Sequence, residues 1–507
     1  MIACNPSPGA PDSCPLGYHC TGDGMCDALC TLTGNECGNG YTCTSDGFCA
    51  NGSGCTGLAC DITPCDKMGM PPTTISGTVY APNGTLPLYG VSVYVPNKDP
   101  GPFIAGVQCG NCTAGLPGHP IAQVTTDENG NFSIPNVPDG ANIPLVITIG
   151  KWRRQIKIPS VAACATQPLD PVDTTLPKSR DDLTPNTTSV DLPQIAISTG
   201  SSDALECLVR RLGIADKEIT TDEQGGKIHL FADLRAGDGP GGGVGIKSFD
   251  TTFGGGTGNL NDSQALWGTP TNPGKLNDYD IVILSCEGAQ HAETKSQEAM
   301  DHLKDYADLG GRVFLSHWHN IWIEGSTQSP TNGAAPKVWS GSDQDPPIAR
   351  FTDNTNLPNG TVDTIDEDLA DNPKGMSFAT WMLNVGGSIV MGSNVRGAVP
   401  IQDRTGKQTC TMIDEAKAKQ WVYWQNGATQ LPQNFEFTTP NEVASDLRCG
   451  KVVFSDMHVS DAPIAVTVGG PFLPYPSSCG TTTTLSPQEK ALAFMFFDIS
   501  SCVGPIL

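Results

Sequence analysis

The stretch 278–320 reads DYDIVILSCEGAQHAETKSQEAMDHLKDYADLGGRVFLSHWHN. Residues 281–284 and 312–315 are short, unbroken apolar runs. Neither alternates as a half-exposed strand would, so both are expected to be strands covered on two faces. Between them, 295–309 is expected to be a helix. Ala299, Met300, Leu303, Tyr306 and Ala307 recur on one face, Thr294 with Gln297 three residues on makes a capping-box pattern, and Gly310-Gly311 stop it. Strand, helix, strand at this spacing predicts a right-handed βαβ unit in a parallel sheet. Each strand ends in reactive residues: Ser285, Cys286 and Glu287 after the first, Ser316, His317 and His319 after the second. Open parallel sheets bind ligands at the carboxyl ends of their strands, so this edge is where chemistry is expected.

The flanking sequence extends the same pattern over 196–507. Asp203 with Glu206 is a second cap pattern, opening a helix with Leu205, Leu208, Val209 and Leu212 on one face. KIHLFAD (227–233) reads as the first sheet strand. The Gly-rich run 237–258 lacks both GK[ST] and a strand–GxGxxG–helix setting, so it reads as a surface loop and not a phosphate cradle. Residues 324–372 read as a long irregular insertion, followed by a helix at 376–383 and two β-type runs, QWVYW and NFEFTT. KVVFSDM (451–457) is another buried strand, ending at His458. Ser486-Pro487-Gln488-Glu489 opens a closing helix with cap, first-turn proline and capping-box glutamate.

Upstream, the character changes twice. Residues 73–164 hold short β-branched segments separated by Pro-Asn-Gly, Glu-Asn-Gly and Pro-Asp-Gly turns, the pattern of a β-sandwich. Its Asp127, Asn129 and Asn131 suggest either a calcium loop or a hairpin turn; no bidentate Glu follows at EF-hand distance. Lys151-Trp152-Arg153-Arg154 with Lys157 is the basic cluster of the chain. It reads as a grip for a carboxylate or acidic glycan, or as a strand edge protected by charge. Residues 165–195, rich in Pro, Thr and Asp, read as an extended connector. Residues 1–68 contain CPLGYHCTGDGMC (14–26) and CGNGYTCTSDGFC (37–49), a repeat offset by 23 residues with identical C-x5-C-x5-C spacing. Asp-Gly pairs at 23–24 and 46–47 read as hairpin turns.

Of 20 cysteines, 11 fall before residue 66. A repeat this small cannot bury a core, and the region lacks the C-x2-C pairs that zinc prefers, so disulfides in an oxidising, extracellular or outer-surface setting are expected. Cys55, Cys60 and Cys65 leave an odd count, which sends one bond outside the region. Cys109-Gly-Asn-Cys112, in a β loop, is expected to join separate disulfides. Secretion calls for a signal peptide; none is present, so the chain is expected in processed form. Met1-Ile2-Ala3-Cys4 looks like the tail of a bacterial lipobox with Cys4 lipidated, or Cys4 is an ordinary disulfide half.

The formal net charge of −24 repels nucleic acid and anionic membrane. No apolar run approaches 18 residues, so no transmembrane segment is expected. Gly and Pro make up about a fifth of the chain, below low-complexity disorder. At 507 residues, the chain exceeds one core. The expected architecture is multidomain: disulfide-rich repeats at 1–68, a β-sandwich at 73–164, the connector at 165–195, and at 196–507 an α/β three-layer sandwich with a mostly parallel sheet, of flavodoxin or amidotransferase type.

Two resemblances sharpen this. Ile75, Gly77, Val79, Pro87, Leu88, Gly90, Val91 and Val93, with Thr126, Asp127, Gly130, Phe132, Ile134, Val137, Pro138 and Gly140, resemble the carboxypeptidase regulatory-like, transthyretin-like domain, which implies a seven-strand sandwich that spaces or binds. YDIVIL, the helix into GGRVFLSHWH, GKVVFSDMH and the closing helix look like the class I glutamine-amidotransferase-like fold, nearest its ThuA-like branch. The family's nucleophile is a cysteine in a G-x-C-x-G elbow after the strand that here reads RVFLSHWH. His317 stands in that neighbourhood, and Cys286 belongs to the preceding strand. The family's late His-x-Glu reads His458-Val459-Ser460 here, with Asp461 one position later. The resemblance therefore implies the fold without ammonia transfer from glutamine. The whole chain is similar to secreted bacterial proteins with this domain order.

Two functions follow as expectations. One is a secreted or cell-surface binding or structural protein with a degenerate amidotransferase-like domain, its partner an extracellular glycan or protein surface. The other is a metal-assisted or acid–base hydrolase acting on an extracellular glycan or peptide. Its candidate catalytic residues are His317, His458 and Cys286, with Asp456 or Asp461 beside them. Its candidate metal ligands are His317, His319 and His458, holding zinc or another divalent metal. Titration of the denatured, unreduced protein is expected to find few thiols among the first 11 cysteines; most of them titrating would contradict the disulfide reading.

Overall fold

The computed structural model describes residues 57–503 apart from 111–114, 234–244, 326–336, 342–345, 369–371, 392–394, 403–405, 459–462, 467–470 and 502, together with four short strands before residue 57. Those four strands pair as two antiparallel ladders flanking the two Asp-Gly pairs, with Cys20 opposite Cys26 and Cys43 opposite Cys49. The 23-residue offset of the sequence repeat is thus kept in register. Cys4 and Cys112 lie outside the described residues. Cys65 bonds Cys164, the outward bond that the odd count required, and Cys109 bonds Cys449.

The β-sandwich has eight strands. One sheet runs Thr187–Asp191, Trp152–Val161, Gly140–Ile149, Ser92–Pro96, Pro120–Thr125; the other runs Thr166–Pro168, Thr74–Thr78, Asn131–Pro135. Two of the eight come from the segment expected as a connector. It is extended, but through pairing: Thr166–Pro168 runs parallel to Thr74–Thr78 beside the Cys65–Cys164 bond, and Thr187–Asp191 runs antiparallel to Trp152–Val161. That pairing also removes the strand-edge reading of the basic cluster, because Trp152–Val161 has a neighbour on each side. At Asp127 the structure has the hairpin turn and no open loop: its carboxylate accepts from the Asn129 and Asn131 amides at 2.9 and 2.8 Å.

The large sheet is mixed, not mostly parallel as expected. Its parallel half runs Ile219–Thr220, Ile228–Ala232, Ile195–Ser198, Ile281–Leu284, Arg312–Ser316, Gly450–Ser455. An antiparallel half continues it: Thr429–Thr439, Ala418–Asn426, Val362–Ile365, Val395–Pro400, Ile389–Met391. The reason is local. Asn426 pairs Thr429 across a two-residue turn at Gly427 (φ +61°), and only about ten residues separate Thr439 from Gly450. A parallel crossover needs a dozen or more. Val362–Ile365 and Ala349–Asn356, the latter paired with Lys407–Ile413, both fall within the segment expected to be irregular.

The parallel strands are buried on both faces. Ile281, Ile283, Phe314 and Val453 pack with the closing helix Pro487–Ser500 and with the sandwich core. Val282, Leu284, Val313, Leu315 and Phe454 pack with the helix Gln297–Asp308. That helix starts two residues later than expected: Ser296 is its cap, accepting from the Ala299 amide, while Thr294 closes a preceding turn. Asp203 is not the N-cap of its helix either: Leu205–Arg211 begins at Ala204, which has no capping side chain. The capping box at Ser486 and Glu489 forms as read. Of the Gly-rich run, 237–244 lie outside the described residues, and Phe249 and Phe253 pack on Tyr475.

One hydrophobic cluster spans both units. Trp152 of the sandwich is fully buried against Phe496 and Phe497 of the closing helix, at centroid distances of 5.4 and 5.5 Å. Replacing Trp152 with Ala is expected to cost about 3–5 kcal/mol in a chemical-denaturation experiment. A loss below about 1 kcal/mol would mean the units do not share this core.

Candidate functional site

The carboxyl ends of three adjacent parallel strands share one edge. Leu284 lies opposite Leu315, Leu315 opposite Phe454, and Ser316 opposite Ser455. The next residues of each chain therefore meet: Cys286 from the first, His317 from the second, Asp456 and His458 from the third. Gly200, after the neighbouring strand Ile195–Ser198, crosses tightly over this edge. A Cβ there would stand 2.3 Å from the Cys286 carbonyl oxygen, so only glycine fits.

His317 adopts φ +46°, a left-handed conformation rare outside glycine, at the start of a one-turn 3-10 helix His317–Asn320. A sharp strand-to-helix turn of this kind lifts one side chain clear of the sheet end, as a nucleophile elbow does. The turn has that shape, with an imidazole at its tip. His317 Nδ1 lies 3.4 Å from Cys286 Sγ, and its Nε2 lies 3.8 Å from Asp456 Oδ1. Its ring stands perpendicular to that of His458 with centroids 4.9 Å apart. Cys286, His317 and His458 are 0%, 1% and 3% exposed, so the group is sealed inside the fold.

Burial pushes the Cys286 thiol up to about 12, with the nearby Asp203 carboxylate adding to it. The thiol therefore carries its proton at neutral pH and is a poor nucleophile as it stands. Burial also raises Asp456 to about 6, against hydrogen bonds from the Thr409 and Cys410 amides and the Thr409 hydroxyl. Asp363, buried beside it, is raised well above the carboxylate range by burial and by the Asp456 charge. The sequence offered no sign of Asp363, which lies in the segment that reads as irregular.

His319 does not join the group. Trp322 donates its indole N–H to His319 Nδ1 at 3.0 Å, which leaves the ring proton on Nε2, and Nε2 donates to the Ser285 carbonyl at 2.9 Å. Both nitrogens are engaged. Burial lowers His319 to about 4, although Glu287 opposes this, so the ring stays neutral. The turn that frees His317 is what turns His319 away. Behind it, Lys295 and Glu287 form a buried ion pair at 2.6 Å; burial raises the carboxyl, and the Lys295 ammonium more than offsets that. Asp461 lies outside the described residues. Asp203 accepts from the Ser316 hydroxyl and braces the strand end.

One thiol and two imidazoles, their ligand atoms all within 4.8 Å of one another, are a donor set suited to zinc or a similar borderline-soft ion. Tetrahedral bonds of about 2.0–2.3 Å place ligand atoms roughly 3.3–3.8 Å apart. The Cys286–His317 pair already has that spacing. With Nδ1 toward the ion, His317 Nε2–H faces Asp456, the carboxylate–histidine pairing that orients metal ligands. The residues present fit the ion.

No family model matches the chain, and no curated protein does. Among solved structures, the chain is similar to a thua-like protein from Bacteroides uniformis ATCC 8492, at 11% identity and a TM-score of 0.24, covering 53% of this chain and 84% of that one. It is also similar to two interface mutants of a type II cohesin–X-dockerin complex from Acetivibrio cellulolyticus, at 18% and 17% identity and TM-scores of 0.14, covering 29% and 30% of this chain and 75% and 78% of those.

Glu206 is fully buried, and burial lifts it to about 8, against a hydrogen bond from its own backbone amide. The folded state thus holds its proton more tightly than the unfolded chain, whose glutamate titrates near 4.5. Stability from this group is unaffected below pH 4.5, falls as pH rises toward 8, and is flat beyond. Glu206→Gln is therefore expected to raise the unfolding midpoint at pH 8 but not at pH 4, the gain growing by up to about 1.4 kcal/mol per pH unit between. An equal effect at both pH values would contradict the buried-carboxyl assignment.

Proposed function

We propose that this chain is a secreted or cell-surface binding protein whose amidotransferase-like domain has lost amidotransfer and holds a divalent metal, zinc by donor type, at Cys286, His317 and His458. The observation that carries the reading is the sealing of that group. Donor atoms within 4.8 Å of one another, at most 3% exposed, suit an ion held in place better than turnover of a glycan or peptide. Three disulfides between described residues suit an oxidising compartment. No helix among the described residues is long and apolar enough to cross a membrane, and lipidation at Cys4 is the anchored form of this reading. The residue pattern of the sandwich supports a carboxypeptidase regulatory-like spacer or binding domain. The parallel half of the large sheet supports a ThuA-like relationship for the α/β unit.

Asp456 favours a second reading. A carboxyl near pH 6, 3.8 Å from an imidazole, is poised for acid–base work, and with the metal it would make a hydrolase.

Metal analysis of the purified protein is expected to find about one zinc per chain. Cys286→Ser and His458→Ala should abolish it, and Asp456→Asn should weaken it by roughly 10–100-fold. Metal-free protein that takes up no zinc would overturn the metal assignment. Cleavage of an acidic oligosaccharide or peptide that disappears in His317→Ala would replace the binding reading with the hydrolase.

A further inference from the structure

The amino ends of the same strands face a different feature. Asp280, Ile281, Arg312 and Lys451 line a cavity of 930 Å³ between the sandwich and the α/β unit, closed on the sandwich side by Lys151 and Arg153. It is separated from the buried cysteine and histidines by the length of the strands, about 13 Å from Lys451 to Ser455.

The charge of this cleft runs against that of the protein. Six cationic side chains line it: Lys151, Arg153, Arg312, Lys374, Lys419 and Lys451. Three carboxyls face them, Asp280, Glu436 and Asp498, and burial raises Glu436 toward its neutral form. The side chains that line the cleft thus carry more positive than negative charge, six cations to three carboxyls, in a chain of net charge −24. Much of the positive charge is paired: Lys151 with Asp280, Arg153 with Asp191, and Lys374 and Lys451 both with Asp498. Two cations are not. Arg312, 6% exposed, donates to the carbonyls of Gly310, Cys449 and Ser501 and to no carboxylate. Lys419 makes no ion pair among the described residues. A buried guanidinium whose hydrogen bonds go to carbonyls alone is held by no direct ion pair; burial lowers it to about 10, against the nearby Asp498, Asp280 and Glu436.

The walls are also aromatic. Tyr89 is stacked on Phe494 at 5.9 Å and partly open, and Phe103 lies under the Arg153 guanidinium at 4.1 Å. Tyr94 is fully buried, lines the cavity, and its hydroxyl has no hydrogen-bond partner. A buried hydroxyl left unpaired costs about 1–3 kcal/mol, which a ligand acceptor would recover. Ring faces, a waiting hydroxyl donor, and excess cations, in a volume near the upper end of small-ligand sites, match a sugar chain that bears acid groups.

We propose that this cleft binds a carboxylate-bearing oligosaccharide, its acid groups at Arg312 and Lys419 and its rings against Tyr89 and Phe103. The proposal rests on the binding-protein reading and names its ligand class. It also gives the sandwich's basic cluster a role: Lys151 and Arg153 build the cationic wall, while Arg154 turns the other way to Asp182 and the Thr175 carbonyl.

The test is calorimetry on the full chain with tetragalacturonic acid, with cellotetraose and hexaglutamate as comparators. Tetragalacturonic acid should bind, more weakly as salt rises, and Lys419→Glu should weaken it by about tenfold or more while leaving the fold intact. Tyr94→Phe, which removes only the hydroxyl, should weaken binding without lowering stability. Equal binding of cellotetraose would overturn the anionic requirement, and tighter binding of hexaglutamate would overturn the sugar. No binding of any of the three would overturn the site. Cys286→Ser should leave tetragalacturonic acid binding unchanged, so a failed cleft and a failed metal centre give separate results. Shortened sugar products would instead show the hydrolase.

Discussion

The parallel register of Ile281–Leu284, Arg312–Ser316 and Gly450–Ser455 holds the rest of the protein in place. Each strand is buried on both faces, so a slip of one residue would exchange the side chains packed on Gln297–Asp308 for those packed on Pro487–Ser500. Two different helices and, behind one of them, the sandwich therefore fix the same alignment. Cys286, His317 and Asp456 meet because the strands that carry them end level. At the other end the same alignment sets Arg312 beside Lys451 under the basic strand of the sandwich.

The two ends have opposite characters for a physical reason. At the carboxyl end, apolar packing closes over the polar groups, and burial moves Cys286, Asp456 and Asp363 toward their neutral forms. A sealed neutral group of this sort is stable on its own and becomes charged when an ion replaces the thiol proton. At the amino end the sheet meets a second domain across a gap, where most charges pair with one another and burial pushes Glu436 toward its neutral form. The fold thus has one open cleft and one closed polar group.

Much of this could be read from residue order. The βαβ unit, its strand ends, the closing helix with its Ser486–Glu489 box and the outward-going cysteine all follow from local pattern. The cap patterns at 294 and 203 differ from the structure because Thr294 and Ser296 compete for one helix start and packing selects Ser296, while the other helix begins at Ala204 with no side-chain cap. The mixed half of the sheet was signalled by Asn426-Gly427 between two β-type runs, a turn that permits only antiparallel pairing. Lone segments such as Val362–Ile365 gave no such sign; their pairing depends on partners about sixty residues away. Of the candidate ligands, His317 and His458 needed only the strand ends to be placed together. His319 needed the Trp322 indole and the Ser285 carbonyl, contacts formed by a turn that pattern alone does not specify. Asp363 beside Asp456 is likewise a product of the fold.

X-ray absorption at the zinc edge of the loaded protein, with anomalous diffraction to locate the ion, examines the metal centre atom by atom. One sulfur at about 2.3 Å and two nitrogens at about 2.0–2.1 Å, with the ion between Cys286, His317 and His458, is the expected result. A zinc bound through oxygen alone, or lying at the protein surface away from Cys286, would contradict it.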